Sequence, residues 1–210
     1  MSQSEPRTIV GLEHLRQIYT EPRAAARLKA LDRLDDFCKN FIALSPFFVL
    51  ASCNGQGHAD ASPRGDQPGF VRVPDDHTLF IPDRPGNNRI DSMRNILSNP
   101  GVGMIFFVPG FNETLRINGT AAILQDPGLC AEFTVNGKPA LSVTRVSVRK
   151  VFFHCGKALM RSRLWDPMTY VDRSTFPSHG RILAEQTKTV SVEESEAYVA
   201  GAIGRGSTER

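Results

Sequence analysis

The spacing of apolar residues predicts a helical segment at the N-terminal end of the chain. From residue 23 to 44, apolar side chains recur at helical spacing between Leu28 and Ile42, and charged side chains fill the opposite face. This pattern is typical of one amphipathic helix with a buried face. A shorter amphipathic helix is predicted at residues 11–20, and Pro22 interrupts the chain between the two.

A series of strands follows these helices. The run Phe47–Cys53 reads as a buried strand, and Asn54-Gly55 forms a turn that returns the chain into a second strand at residues 58–64. Strands joined by hairpins, with helices before and after them, indicate an α+β fold built on an antiparallel barrel or sandwich. Further strands are predicted at residues 70–73, 78–81, 102–108, 114–124 and 140–153.

Helical patterns return after the strands, at residues 156–164, 181–187 and 193–203. The chain therefore divides into three parts. Residues 1–44 form a helical segment that we expect to pack on the barrel, residues 45–165 form the strand-rich domain, and residues 166–210 form a C-terminal loop with helices.

Composition and charge exclude two classes of partner. The net charge of +3 is small and the basic residues are scattered, so we expect no nucleic-acid partner. No apolar run approaches the roughly 20 residues that span a bilayer, so we expect no membrane segment. The first residues lack the charged and apolar regions of a signal peptide, which predicts a cytoplasmic protein.

Common catalytic and metal motifs are missing from the sequence. It contains no GxSxG, HExxH, GxGxxG or GxxxxGK[ST] pattern, and its four cysteines are widely spaced without a CxxC pair. We therefore predict no metal site. Cys155 follows His154, so its thiol is either packed or a nucleophile. The Asp75-Asp76-His77 run is interpreted as a solvated turn in preference to a metal cluster.

Arginines recur in the central stretch from residue 59 to 121. Three pieces carry them, SPRGD, NNRIDSMRN and TLRINGTA, and each lies next to a predicted strand. The loop DRPGNN leads into a predicted helix at residues 88–98, with Arg84 and Arg89 beside it. Free N–H groups at a helix start and arginine side chains both bind anions, so this loop is a candidate anion site.

The order of these pieces resembles the pyridoxamine 5′-phosphate oxidase-like, FMN-binding split-barrel superfamily. A strand with SPRGD, a strand LFIP, the loop and helix GNNRIDSMRNILSNPGVG, and the strands MIFFVPG and ETLRINGTA follow one another as in that family. The resemblance implies an antiparallel split β-barrel with flanking N- and C-terminal helices and FMN as the cofactor. It also implies a homodimer with the cofactor sites at the subunit interface.

The resemblance assigns the first cofactor contacts to a strand and a loop. Ser62, Arg64 and Gly65 match the strand that lies along the flavin, and Asn88 and Arg89 match the basic pair that grips the phosphate. Asparagine replaces one of the two basic residues. The grip is therefore weaker than in the family or shared with a further arginine of this stretch, for which both Arg84 and Arg64 are open.

Other matches lie on later strands and near the C-terminal end. Ile81 and Pro82 stand where the family often has a Tyr-Thr-like pair, so here they offer backbone and packing only. Arg116 and Asn118 match the strand that reaches the flavin from the partner subunit. The family's closing segment is resembled by MRSRLWDP, whose matching residues are Arg161, Arg163 and Trp165.

Structural roles stay open for these residues. Arg64 pairs with a neighbouring aspartate or contacts the cofactor, and the same choice holds for Arg89. Arg116 is either a site residue or an exposed strand residue, and Asn118 either reaches the flavin or serves a bulge. The MRSRLWDP arginines and tryptophan belong either to the site or to dimer packing.

The resemblance favours an FMN-dependent oxidoreductase that moves hydride or electrons between a reduced donor and a small-molecule acceptor. True pyridoxamine 5′-phosphate oxidases carry Arg-x-His near the C-terminal end, whereas this chain has Arg163-Leu164-Trp165, which argues against that substrate. The alternative is a non-catalytic split-barrel protein that binds flavin, haem or deazaflavin. A flavin-free structural dimer is a third reading.

Overall fold

A computed structural model describes residues 8–208 of the chain. Strands form its centre and helices its two ends. The strands are β1 (Phe47–Cys53), β2 (Ala59–Gly65), β3 (Arg72–Asp75), β4 (Thr78–Pro82), β5 (Gly101–Phe107), β6 (Thr114–Leu124) and β7 (Val143–His154). The helices are α1 (Leu12–Ile18), α2 (Ala24–Leu28), α3 (Asp36–Leu44), α4 (Asp91–Ser98), α5 (Pro127–Ala131), α6 (Lys157–Ser162), α7 (His179–Thr187) and α8 (Val192–Thr208).

The strands form one antiparallel sheet in the order β2-β1-β5-β6-β7-β4-β3. The sheet curls until its two ends approach each other. Phe48 of β1 stacks on Phe70, which precedes β3, with 5.9 Å between ring centroids. Arg64 of β2 reaches Asp83, which follows β4, at 3.7 Å. The predicted α+β fold with an antiparallel split barrel is confirmed.

Alternating side chains of the strands build the core. Inward positions of β1, β5, β6 and β7 are buried, and the intervening positions face outward, as the period of two along a strand requires. The rings of Phe48 and Phe106 stack at 4.8 Å inside the barrel. α3 closes one side of this core, because Cys38, Phe41 and Ile42 are buried in the same cluster.

The single helix predicted at residues 23–44 is wrong, because the chain breaks between α2 and α3. Leu31 forms a β-bridge with Val151 of β7, with N–O distances of 2.9 and 2.8 Å in the two directions. Asp35 then caps α3 by accepting a hydrogen bond from the Cys38 N–H at 2.9 Å. Contacts with a distant strand therefore override the local helical spacing.

A β-bulge interrupts the longest strand pair, β6 and β7, between Asn118 and Gly119. A Cβ atom on Gly119 would collide with the carbonyl oxygen of Ser147. Glycine is needed there because the two backbones approach closely.

The C-terminal part begins at the end of the barrel. The indole N–H of Trp165 donates to the carbonyl oxygen of Phe111 in the β5–β6 turn at 2.8 Å. Farther along, α7 packs against α8, where Gly180 lies so close to Glu196 that a Cβ would not fit. Within residues 8–208, no helix is both long and apolar enough to cross a membrane.

Candidate functional site

One cavity of about 500 Å³ lies where β2, the end of β4 and the start of α4 meet. The loop of residues 83–90 forms its rim. Many of the sequence-predicted positions come together here, although they are spread over three elements. Those lining the cavity are Ser62, Arg64, Gly65, Ile81, Pro82, Asn88 and Arg89.

The rim loop has an unusual backbone. Asn88 and Ile90 both adopt left-handed conformations, with φ of 57° and 50°. For a β-branched residue such as Ile90 this conformation costs about 1–2 kcal/mol. The predicted helix start at residue 88 is therefore wrong, since α4 begins only at Asp91. The strained loop leads directly into α4, whose first residues Asp91, Ser92 and Met93 line the cavity.

Hydrogen bonds to the β1–β2 hairpin hold α4 in place. Asn95 donates to the Ser52 hydroxyl at 3.0 Å, and the Gly55 N–H donates to the Ser98 hydroxyl at 3.2 Å. These hydrogen bonds anchor α4 to the hairpin and so fix the position of the cavity rim.

Arg64 is the least satisfied polar side chain of the cavity. Its Nε is buried and has no hydrogen-bond partner. Its Nη1 lies 3.7 Å from an oxygen of Asp83, which is longer than a hydrogen bond. Burial raises the pKa of Asp83, although the Arg64 charge acts against this rise. The pair therefore leaves much of the guanidinium's hydrogen-bonding capacity unused.

Arg89 lies at the rim of the cavity, and 74% of its side chain is exposed to solvent. Its Nε donates to Asp91 at 2.8 Å, and this hydrogen bond raises the pKa of the Arg89 guanidinium. Arg89 is also one of the residues that line the cavity. An exposed ion pair of this kind is weak and gives way readily to a stronger anion.

Arg84 has a structural role that its sequence position did not reveal. Its Nε donates to Asp66 at 2.6 Å, and its Nη1 donates to the carbonyl oxygen of Phe133 at 2.8 Å. These bonds tie the rim loop to the segment after α5. Of the two arginines considered for sharing the phosphate, Arg64 has the free donor.

Sequence reasoning missed several polar residues of this cavity, among them Asp83 and Ser92. The Ser92 hydroxyl lies 3.4 Å from Asp60. A serine in the first turn of the helix after the loop was the available signal for Ser92.

Arg116 and Asn118 line a second cavity of about 700 Å³ on the outer face of the sheet. Within one chain they are therefore separate from the first cavity. Asn118 pairs with Gly103 across β5 and β6, and Gly103 pairs with Ala51 of β1, so small residues form a smooth floor. His154 and Cys155 lie at the end of this cavity.

Arg161, Arg163 and Trp165 of the MRSRLWDP segment line neither cavity, whereas Ser162 and Leu164 of the same segment line the second one. Arg161 is exposed at the end of α6. Arg163 binds Asp166 through Nε and Nη2, at 3.0 and 2.5 Å. Trp165 is bonded to Phe111, as described above. In the single chain, Trp165 fastens the segment to the barrel, and the Arg163–Asp166 pair lies within the segment.

Metal and thiol chemistry receive little support from the described residues. Residues 8–208 contain no group of three or more side chains that could hold a metal ion. Burial raises the pKa of the Cys38 thiol to about 12, so this thiol stays protonated. Cys155 is exposed and free.

A family model described as pyridoxamine 5′-phosphate oxidase matches residues 34–155, which is more than half of the chain. The protein therefore belongs to this family, as the order of its motifs indicated. The match contains both cavities' strand residues and the whole rim loop. Comparison with curated proteins gives no match.

Several solved structures resemble part of the chain at low sequence identity. HupZ of Group A Streptococcus is 19% identical, with a TM-score of 0.46 over 57% of this chain and 92% of its own. A conserved hypothetical protein from Mycobacterium tuberculosis is 14% identical, with a TM-score of 0.46 over 75% and 100%. An FMN-binding protein from Syntrophomonas wolfei is 12% identical, with a TM-score of 0.41 over 54% and 79%.

Proposed function

We propose that this protein is an FMN-dependent oxidoreductase that transfers hydride or electrons between a reduced donor and a small-molecule acceptor. The observation that carries the proposal is the unpartnered, buried Nε of Arg64 in a cavity bounded by a strained loop and a helix start. A buried donor without a partner is costly, and an anionic ligand in the cavity would satisfy it. Family membership supports the same cofactor class.

The residues of the first cavity fit the two ends of FMN. Arg64, Arg89 and the N–H groups at the start of α4 suit a phosphate, because guanidinium groups and helix N-termini bind such anions. β2 is an edge strand, so the backbone groups that it turns away from β1 are available to pair with the polar edge of a ring. The cavity's volume of about 500 Å³ is in the range of ligand sites.

The chain's own contribution would be to bind and orient the cofactor, which supplies the redox chemistry when bound. Ile81 and Pro82 are buried at the back of the cavity and exclude water there. Burial raises the pKa of Asp83, a carboxyl group of this wall, so Asp83 holds its proton to a higher pH than an ordinary aspartate does.

We do not propose pyridoxamine 5′-phosphate as the substrate. Arg163-Leu164-Trp165 stands where the true oxidases have Arg-x-His, and the donors of Arg163 and Trp165 are engaged with Asp166 and Phe111. We therefore propose that the electron donor and the acceptor are small molecules other than pyridoxamine 5′-phosphate.

The first experiment is the visible absorption spectrum of the freshly purified protein, followed by analysis of the supernatant after heat denaturation. Flavin bands and released FMN are expected. The flavin-free protein should bind added FMN more tightly than riboflavin, because riboflavin lacks the phosphate that the rim loop would hold. A colourless protein that takes up neither compound would overturn the proposal, and a Soret band would replace flavin by haem.

A further inference from the structure

Arg84 links the rim loop of the first cavity to the barrel. Within residues 8–208, no hydrogen bond between two backbone groups joins residues 84–89 to the rest of the chain. The Arg84 guanidinium supplies side-chain bonds instead, because its Nε donates to Asp66 at 2.6 Å and its Nη1 donates to the carbonyl oxygen of Phe133 at 2.8 Å. A loop with so few backbone bonds depends on such contacts for its conformation.

Asp66, the first partner of Arg84, is itself held in place after β2. Its N–H donates to the carbonyl oxygen of Pro46 at 3.1 Å, and its second carboxylate oxygen accepts a hydrogen bond from the Gln67 N–H at 2.7 Å. Only 27% of the Arg84 side chain and 24% of the Asp66 side chain are exposed. A charge-assisted hydrogen bond that is shielded in this way is stronger than an ion pair in open solvent.

Phe133, the second partner, is also held by its surroundings. Its side chain is buried in the small core cluster that includes Cys130 and Val143. The Arg72 guanidinium of β3 lies 4.7 Å from the centroid of the Phe133 ring. Arg84 therefore joins the rim loop to two points that the rest of the fold keeps in position.

The rim loop contains backbone strain that its anchors must maintain. Asn88 and Ile90 adopt left-handed conformations, with φ of 57° and 50°. Conformations of this kind persist only where the surrounding contacts enforce them. Arg84 fixes the start of the loop, and the hydrogen bond from Asn95 to Ser52 fixes α4 after its end. The strained residues thus lie between two anchored points.

We propose that Arg84 is a positioning residue: together with Asp66 it holds the rim loop in the conformation that binds the cofactor phosphate, and it does not bind the phosphate itself. Arg84 lines the first cavity, but two of its N–H donors are occupied by Asp66 and Phe133. A loop that is already held in its binding conformation raises affinity, because less conformational entropy is lost when the ligand binds. This role rests on the flavin binding proposed above.

Removal of Asp66 separates this role from direct contact with the phosphate. If Arg84 bound the phosphate, loss of the Asp66 carboxylate would free the guanidinium and remove a negative charge near the anion, so FMN would bind more tightly. If Arg84 positions the loop, loss of Asp66 releases the loop, and FMN binds more weakly. The two roles therefore predict opposite signs.

The test compares Arg84→Gln, Asp66→Ala and the double variant with the wild type, all as full chains. Arg181→Gln is the matched control, because the Arg181 Nε donates to Glu185 at 2.7 Å in a similar ion pair on α7 that does not line the cavity. The dissociation constants for FMN and for riboflavin are measured by titration.

The conformation of the loop is measured separately, in the ligand-free proteins, as the rate of trypsin cleavage after Arg89. The Arg89 side chain is 74% exposed, so trypsin can reach it once the loop opens. Trypsin does not cleave before proline, and Pro85 follows Arg84, so Arg84→Gln removes no cleavage site from the loop. Mass spectrometry identifies the fragment that ends at Arg89.

Each single variant is expected to weaken FMN binding by about tenfold, the cost of ordering about one backbone residue on binding. Riboflavin binding should stay at the wild-type value, since riboflavin lacks the phosphate. The double variant should bind FMN no more weakly than either single variant, because both substitutions break the same ion pair. Trypsin should cleave after Arg89 faster in all three variants than in the wild type and Arg181→Gln.

Tighter FMN binding by Asp66→Ala would overturn the proposal and assign Arg84 to the phosphate. Equal losses of FMN and riboflavin affinity would also overturn it, since they would reflect a general loss of stability. If none of the proteins binds a flavin, the proposed function fails, and the cleavage rates alone decide the role of Arg84. Faster cleavage in the Arg84 and Asp66 variants would then support the positioning role, and equal rates in all proteins would refute it.

Discussion

At the residue scale, the first cavity is distinguished by arginine side chains whose hydrogen-bonding groups are only partly satisfied within the chain. Arg64 keeps a buried donor unused, and Arg89 is held only by an exposed bond to Asp91. Arg84 shows the opposite case, because Asp66 and Phe133 satisfy it. Which arginines remain available for a ligand is therefore decided by their neighbours in space.

Replacing Arg89 by alanine should weaken FMN binding and spare riboflavin binding. The removed contact is a charge-assisted hydrogen bond to phosphate, worth about 1.5–3 kcal/mol. Isothermal titration of the flavin-free protein with both compounds measures the two dissociation constants.

The matched control for this variant is Arg94→Ala, since Arg94 is an exposed arginine of α4 that does not line the cavity. Equal FMN affinity of the wild type and Arg89→Ala would exclude Arg89 from phosphate binding.

Asp83 makes stability depend on pH. Because burial raises its pKa in the folded protein above the ordinary value of 3.8, the folded state holds this proton more tightly than the unfolded state. The resulting stabilisation is complete below the ordinary pKa and is lost as the pH rises through the raised pKa.

The Asp83→Asn variant does not lose stability in this way, because asparagine does not ionise. We measure the free energy of unfolding of both proteins in urea without flavin. The value for the variant should rise relative to that of the wild type as the pH is raised from about 3.8 to neutrality. A constant difference between the two proteins across that range would contradict the assignment.

At the scale of elements, two contacts between backbones determine the geometry. The bridge from Leu31 to Val151 separates α2 from α3, and the bulge at Gly119 lets β6 pass close to β7. The bulge lies directly beside Asn118, so it also sets how β6 presents the second cavity.

Gly119→Ala should therefore destabilise the fold. The added Cβ meets a backbone carbonyl that cannot rotate away, and overpacking of this kind costs about 1–3 kcal/mol or more. Thermal and urea unfolding measure the loss.

Gly103→Ala is the matched control, because its Cβ would lie 3.4 Å from the end of the flexible Asn118 side chain. It should cost much less. Similar losses for the two variants would show that the bulge does not require glycine.

At the scale of the whole molecule, the outer face of β1 and β5 is suited to a partner. Ala51 and Gly103 make it flat, and the exposed ring of Phe47 lies 6.0 Å from that of Phe107. A broad, smooth face with apolar side chains is typical of a surface between subunits. We therefore infer a homodimer that uses this face and in which a second copy completes the cofactor site.

Light scattering at micromolar concentration should give twice the chain mass of 23.2 kDa. Ala51→Glu places a charge on the face and should yield monomers with weakened FMN binding, since a buried unpaired charge is costly. Ala131→Glu, on the exposed side of α5, should remain dimeric. A monomer that still holds FMN would exclude the shared site.

The sequence by itself determined the elements whose patterns are local. Alternation of apolar residues predicted the strands, Asn54-Gly55 predicted the first hairpin, and the order of arginine-bearing pieces led to the family. These features depend on neighbours within a few residues, which the chain order displays directly.

Only the tertiary structure decided how the predicted site residues are grouped. Arg64 and Arg89 line one cavity, Arg116 lines the other, and Arg84 forms an ion pair with Asp66. The tertiary structure also broke the predicted N-terminal helix by a bridge to Val151. These outcomes depend on contacts between distant parts of the chain, whose energies compete with local preference and leave no periodic pattern in the sequence.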